Sequence, residues 1–221
     1  WWVGRMTTQS ELFDIVRIDH FRGLEAAWEI PANEDTAING QWVPAPGDAL
    51  LAAIKAALPH LNLVAEDLGI ITPEVEALRQ KYHLPGMKIL QFAFSGQADN
   101  PYLPHNIEAD SVVYTGTHDN DTTVGWHSSM DESQLAHVHT HIREHHDQAP
   151  AVLKALIEMA MQSRAFLAII PMQDILGLDS THRMNTPGTA SGNWHWRFNW
   201  QQLTEAHKQL FKTLVETSGR S

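Results

Sequence analysis

The stretch Val16-Arg17-Ile18-Asp19-His20-Phe21-Arg22-Gly23 is an apolar run of strand length that ends abruptly in charged residues, and its reading decides the fold. Side chains alternate along a strand, so Arg17 and Asp19 share one face while Val16 and Ile18 take the other. An acid thus stands beside a permanent cation at the strand's carboxyl end. That is where parallel α/β barrels carry their reactive groups.

The plan recurs along the chain. Residues 62–65 read as a second buried strand leaving through Glu66-Asp67-Leu68-Gly69, and residues 87–94 as a third. Residues 111–115 form a fourth, leaving through Gly116-Thr117-His118-Asp119-Asn120-Asp121, and residues 166–170 a fifth. Helical patterns lie between them. Residues 5–13 offer Met6, Leu12 and Phe13 to a buried face, and Asp48 reads as the cap of a helix with Leu50, Leu51, Ile54 and Leu58 on one side. Thr72-Pro73-Glu74 opens the next helix, Ser129 and Glu132 form a capping box, and residues 150–164 continue the series. The last helix carries Leu203, Leu210, Phe211 and Leu214 on its apolar side. Residues 20–47 read as a long loop with a short helix at 23–28, and residues 177–193 as a second loop.

Continuous Val/Ile/Leu strands alternating with helices imply an α/β protein with a parallel sheet covered on both faces. Five strands cannot close an eight-stranded barrel, which leaves an open doubly wound sheet or the later part of a (β/α)8 TIM-type barrel lacking its first strands. No glycine-rich phosphate loop follows any strand, and the abrupt Trp1-Trp2 start looks like the inside of a longer chain; both favour the partial barrel. Residues 1–221 are expected to be the C-terminal portion of one catalytic domain without an internal boundary. The unpaired edges of such a sheet invite association with another chain.

Composition narrows the function. With 15 basic against 26 acidic residues the formal net charge is -11, which argues against nucleic acid or an anionic membrane as partner. The absence of cysteine excludes thiolate chemistry and fits a reducing compartment, so the cytoplasm is the expected location.

Asp19, Glu66 and Asp119 each follow a different strand. Glycoside chemistry needs such acids: a carboxylate to attack the anomeric carbon, and a carboxylic acid to protonate the leaving oxygen. A third carboxylate can stabilise the positive charge that develops on the ring. In a retaining enzyme the first two carboxyl groups lie roughly 5 to 5.5 Å apart.

Residues 16–23 (VRIDHFRG), 64–69 (VAEDLG), 116–122 (GTHDNDT), 183–188 (RMNTPG) and 192–197 (GNWHWR), taken in this order, resemble the bacterial 4-α-glucanotransferases called amylomaltases or disproportionating enzymes. The resemblance runs through essentially the whole chain. It implies a (β/α)8 barrel, a retaining mechanism without cofactor or metal, and maltooligosaccharides or other α-1,4-glucans as partners. It also implies Asp19 as nucleophile, Glu66 as general acid/base and Asp119 as transition-state stabiliser. Arg17 and His118 become substrate-contacting neighbours, and Asn185 a donor-sugar contact. Ala27 stands where the family often carries an aromatic residue. The first barrel strands and the loops that cover the cleft in relatives have no counterpart here, so the isolated chain is expected to be inactive. The rivals are an α-glucan hydrolase of the same clan and a noncatalytic glucan-binding or assembly module.

Three further features invite other readings. Histidines 137–146 recur at i, i+4 spacing, but no carboxylate completes a metal pattern such as H-E-x-x-H, so a solvated helix is expected. Among the 8 tryptophans, Trp194, Trp196 and Trp200 are divided between core packing and stacking on sugar. His20 and Arg22 are split between supporting the loop and touching sugar, while Met159 and Met161 are assigned to the core.

Overall fold

A computed structural model describes residues 1–142 and 149–220. The chain divides into two compact units, Trp1–Met87 and Lys88–Ser221.

The first unit begins with α1 (Trp2–Leu12) and β1 (Ile15–Ile18). Only Met6 of the expected apolar face of α1 is buried; Leu12 and Phe13 are exposed. A 3-10 turn at Phe21–Leu24 leads into β2 (Ala26–Glu29) and β3 (Gln41–Pro44), which pair antiparallel. The expected long loop is therefore a β-hairpin. Trp28 lies opposite Trp42 across its ladder, with ring centroids 5.4 Å apart, and the Trp28 indole N–H donates to the Ala37 carbonyl at 2.8 Å. Both strands are largely exposed, so cross-strand contacts rather than core burial hold them, and the burial period that would have signalled them is missing.

Helix α2 (Gly47–Ala57) packs Leu51 and Ile54 into the core, with Leu50 and Leu58 half-buried beside them. Asp48 is not its cap. The helix opens after Pro46, and the Asp48 carboxylate binds Lys81 and Tyr82 at the end of α3 (Pro73–Lys81), which lowers its pKa. A Cβ at Gly47 would collide with the Leu24 carbonyl, so only glycine permits that approach. β4 (Asn62–Ala65) pairs parallel with β1, placing Ile18 opposite Ala65. Three of its four residues are buried, as a strand covered on both faces requires. Met6, Ile18, Phe21, Leu51, Leu63 and Val75 are among the residues that fill the core of this unit.

β5 (Gly86–Ile89) runs into the second unit and is shorter than the third strand expected, because residues Leu90–Phe92 turn into a 3-10 helix. It lies beside β6 (Ser111–Tyr114), and β6 pairs parallel with β7 (Leu167–Ile169). Helix α4 (Thr123–Ser128), absent from the sequence reading, follows the loop leaving β6, with Thr122 as its N-cap. Ser129 closes that helix instead of opening the next. The capping box belongs to Asp131 and Gln134, at the start of α5 (Glu132–His141). α6 (Ala149–Gln162) supplies Val152, Leu156 and Ala160 to a core completed by Leu90, Val113 and Val138. Met161 is buried and Met159 packs at the core edge, as expected. α7 (Met172–Ile175) follows β7 directly.

The chain closes with α8 (Glu205–Ser218), capped by Thr204 and His207 and ended by left-handed Gly219. Leu214 is buried, Leu210 and Phe211 remain partly exposed, and Leu203 lies ahead of the helix. Among the described residues no helix is long and apolar enough to cross a membrane.

Candidate active site

In the first unit the register fixes two acids. Because Ile18 pairs with Ala65, Asp19 and Glu66 are the next residues off two neighbouring parallel strands. The Arg17 guanidinium donates to Asp19 Oδ1 at 2.8 Å, as the strand alternation predicts, while the Asp19 side chain stays 81% exposed. Glu66 is half-buried, and both of its oxygens are engaged: Oε2 accepts the His20 N–H at 2.6 Å and Oε1 the Leu68 N–H at 3.0 Å. The Glu66 backbone is held as well, donating to Ile18 O at 2.9 Å and accepting from Phe21 N at 3.0 Å.

His20 makes this strap possible by adopting a left-handed backbone, φ 46° and ψ 53°. Such a conformation is rare for a residue with a side chain, and it collects at functional sites. Arg22 has partners in a loop and in the hairpin. Its guanidinium donates to Ile70 O at 2.7 Å and lies 4.0 Å from the centre of the Trp42 ring. Beyond Glu66, buried Asp67 accepts the Met87 N–H at 2.7 Å and faces Arg79 at 3.6 Å, anchoring the loop that carries the acid.

In the second unit the loop leaving β6 presents His118 and Asp119. Asp119 Oδ1 accepts from the Asn185 amide at 2.6 Å, and Oδ2 faces His118 Nε2 at 3.5 Å. Arg183 donates to the Asp119 carbonyl at 2.9 Å and faces Asp121 at 3.9 Å. Asp121 in turn accepts the Ser180 hydroxyl at 2.7 Å. Trp194, with φ 63°, swings its ring to 5.1 Å from that of His118. The RMNTPG and GNWHWR blocks therefore converge with GTHDNDT on one constellation.

None of Trp194, Trp196 and Trp200 is buried, which corrects the expectation that some belong to the core. Trp196 stacks on Phe198 at 5.8 Å, and Phe198 meets Trp200 edge-on at 5.3 Å, so these rings pack on one another, with Trp196 and Phe198 half-buried and Trp200 exposed. Asp121 and Arg183 stand within the GTHDNDT and RMNTPG blocks without an expected role of their own, and Asp174 carries none either, although it follows a strand as the expected acids do. His137, His139 and His141 are half-buried on α5, not solvated, and no three metal-ligating side chains converge among the described residues. Histidines 145 and 146 lie outside the described residues.

The 4-alpha-glucanotransferase family model matches residues 1–204. The chain belongs to the 4-alpha-glucanotransferase family. A 4-alpha-glucanotransferase of Synechocystis is 49% identical over 222 residues, covering 100% of this chain and 44% of its own length. One from Thermus thermophilus is 47% identical, covering 99% of this chain and 45% of its own. The amylomaltase from Streptococcus agalactiae in complex with acarbose superposes with a TM-score of 0.93 at 34% identity, across 100% of this chain and 44% of that one. The α/β fold class expected from the sequence, part of an amylomaltase-type TIM barrel, is thereby borne out. The chain spans less than half the length of these relatives.

Proposed function

We propose that the protein carrying this chain is a 4-α-glucanotransferase that rearranges α-1,4-glucans by double displacement. The observation that carries the reading is the β1–β4 register, which brings Asp19 and Glu66 off adjacent strands at one end of the sheet. Neighbouring strands lie roughly 4.7–4.9 Å apart. The two acids thus leave the sheet side by side, and a retaining reaction requires their carboxyl groups roughly 5 to 5.5 Å apart, against roughly 6.5 to 9.5 Å for an inverting one. Family membership and the Arg17–Asp19 pair support the same reading.

In this mechanism Asp19 attacks the anomeric carbon while Glu66 gives its proton to the departing 4-oxygen, and the glucosidic bond breaks as the Asp19–glucosyl ester forms. The 4-hydroxyl of an acceptor glucan then enters. Glu66 takes its proton, the new α-1,4 bond forms, and Asp19 departs as a carboxylate. Two inversions give net retention. Asp119, oriented by Asn185 and His118, is assigned the role of stabilising the positive charge that develops on the ring, and Arg17 orients Asp19.

Asp19→Asn in the complete protein is expected to abolish disproportionation of maltotriose. Near-parental turnover in that variant would remove Asp19 from the mechanism. Chromatography of the products tests transfer itself: glucose together with a ladder of longer chains marks a transferase, and shortening alone marks a hydrolase.

A further inference from the structure

Asp174 is a carboxylate 2% exposed to solvent, and the chemistry above does not use it. Its Oδ1 accepts the Thr123 N–H at 2.8 Å, and its Oδ2 accepts the hydroxyls of Thr115 at 2.6 Å and Thr123 at 2.8 Å. Among the described residues no cation pairs with it. An uncompensated buried carboxylate is costly, and burial pushes the Asp174 pKa up against the pull of these three bonds. A neutral side chain would fill the space at lower cost, so the two converging acceptor oxygens are the feature to be explained.

The placement of its partners explains it. Thr115 is the first residue beyond β6, and Thr123 is the first residue of α4, so the two bracket the loop that carries His118 and Asp119. Asp174 itself sits on α7, directly after β7, the parallel neighbour of β6. One carboxylate therefore gathers both ends of the Asp119 loop onto the adjacent βα connection. The middle of the same loop is tied separately, by Arg183 to the Asp119 carbonyl and by Asn185 to its carboxylate.

We propose that Asp174 is a positioning residue for Asp119: by drawing Thr115 and Thr123 onto one carboxylate it sets the span of the loop, and with it the aim of the Asp119 side chain. The inference rests on the reading of Asp119 as the group that faces charge developing in the transition state. A loop set to the wrong span still allows substrate to dock, but it misdirects a group whose interaction matters most as the bond breaks.

The test uses the complete protein that carries this chain, with maltotriose as substrate. In Asp174→Asn, Oδ1 keeps the Thr123 N–H, and the Thr115 and Thr123 hydroxyls can turn to accept from the new amide, so the variant is expected to fold. Its kcat should fall about 10- to 100-fold while KM stays within about twofold. Thr115→Ala and Thr123→Ala, each removing one hydroxyl, should show the same split to a smaller degree, and they keep the test open if Asp174→Asn fails to fold. Adding Asp174→Asn to Asp119→Asn should cost little beyond Asp119→Asn alone, because the aimed group has already been removed.

Unchanged kcat in a folded Asp174→Asn variant overturns the proposal, as does a double variant whose losses multiply in full. With a purely structural Asp174, the substitution would change thermal stability, in either direction, and leave kcat and KM alone. Parental turnover in Asp119→Asn would instead remove the reading of Asp119, so the two failures are distinguishable.

Discussion

At the scale of single residues, Glu66 illustrates how backbone rather than side chains builds this site. Both of its oxygens accept peptide N–H groups, and one of these comes from His20 in a left-handed conformation. The strap depends on that backbone shape, which glycine adopts freely and a β-branched residue resists. His20→Gly is accordingly expected to retain most activity. His20→Val should lower stability by about 1–2 kcal/mol and reduce turnover with it, as chemical denaturation and the maltotriose assay can check. Asp174 supplies a second prediction. Its carboxyl is raised above the ordinary value of 3.8 by burial, with the Asp121 charge adding to the shift. The folded state therefore holds this proton more tightly than the unfolded state. Its contribution to stability is greatest below 3.8 and is lost as pH rises through the folded pKa. Lys154 and His207 line the cavity beside it. Thermal unfolding of Asp174→Asn against the parent should show the difference moving in favour of the amide as pH rises from about 4 towards 7. A difference independent of pH would contradict it.

At the scale of elements, the strands and long helices were readable because each carries a period that burial imposes. Residues 63–65 are apolar because β4 is buried on both faces there, and Leu51 and Ile54 recur at helical spacing because one side of α2 meets the core. What escaped was structure held by contacts distant in sequence. The hairpin of β2 and β3 is joined across a polar connection and buries little, so no local pattern announced it. Asp48 had the residue type of a cap, and its true partners, Lys81 and Tyr82, come from another helix.

Elements also carry their own pH dependence. His127 on α4 and His141 on α5 have pKa values lowered first by burial, and then by neighbouring histidines: His139 for the former, His105 and His137 for the latter. Both are held neutral by the fold, so their contribution to stability is present above the ordinary histidine value of 6.5 and is lost as pH falls through their folded pKa values. Protection factors of the amides in α4 and α5, which divide out the slowing of intrinsic exchange with falling pH, should decrease from pH 7.5 to 5.5, and His127→Gln with His141→Gln should flatten that decrease. In the same unit, Arg220 donates to the carbonyls of Met161, Ser163 and Ala165 at 2.7, 2.9 and 2.8 Å, tying residues near the end of the chain to the last turn of α6 and the segment that leads to β7. Arg220→Met leaves three carbonyls without that donor and should cost about 1–3 kcal/mol, measured by denaturant unfolding.

At the scale of the whole molecule, the chain aligns along its full length with less than half of each relative. A glucan that is cut and rejoined must be gripped on both sides of the broken bond, and this chain holds the residues proposed for the chemistry within a minor share of the family's length. The 221-residue chain alone is therefore expected to produce no maltotriose ladder under conditions in which a protein of full family length does. Turnover at the full-length rate would show that the matched portion suffices for grip as well as chemistry. Residue type, order and spacing by themselves determined the α/β class, the family and the acids at the strand exits, because each leaves a mark within a few consecutive residues. Only the tertiary structure decided that His20 straps Glu66, that Trp194 meets His118 and that Asp174 gathers both ends of the Asp119 loop. Those contacts join residues far apart in the chain, and a sequence carries no period for a hydrogen bond that closes only after the strands have paired.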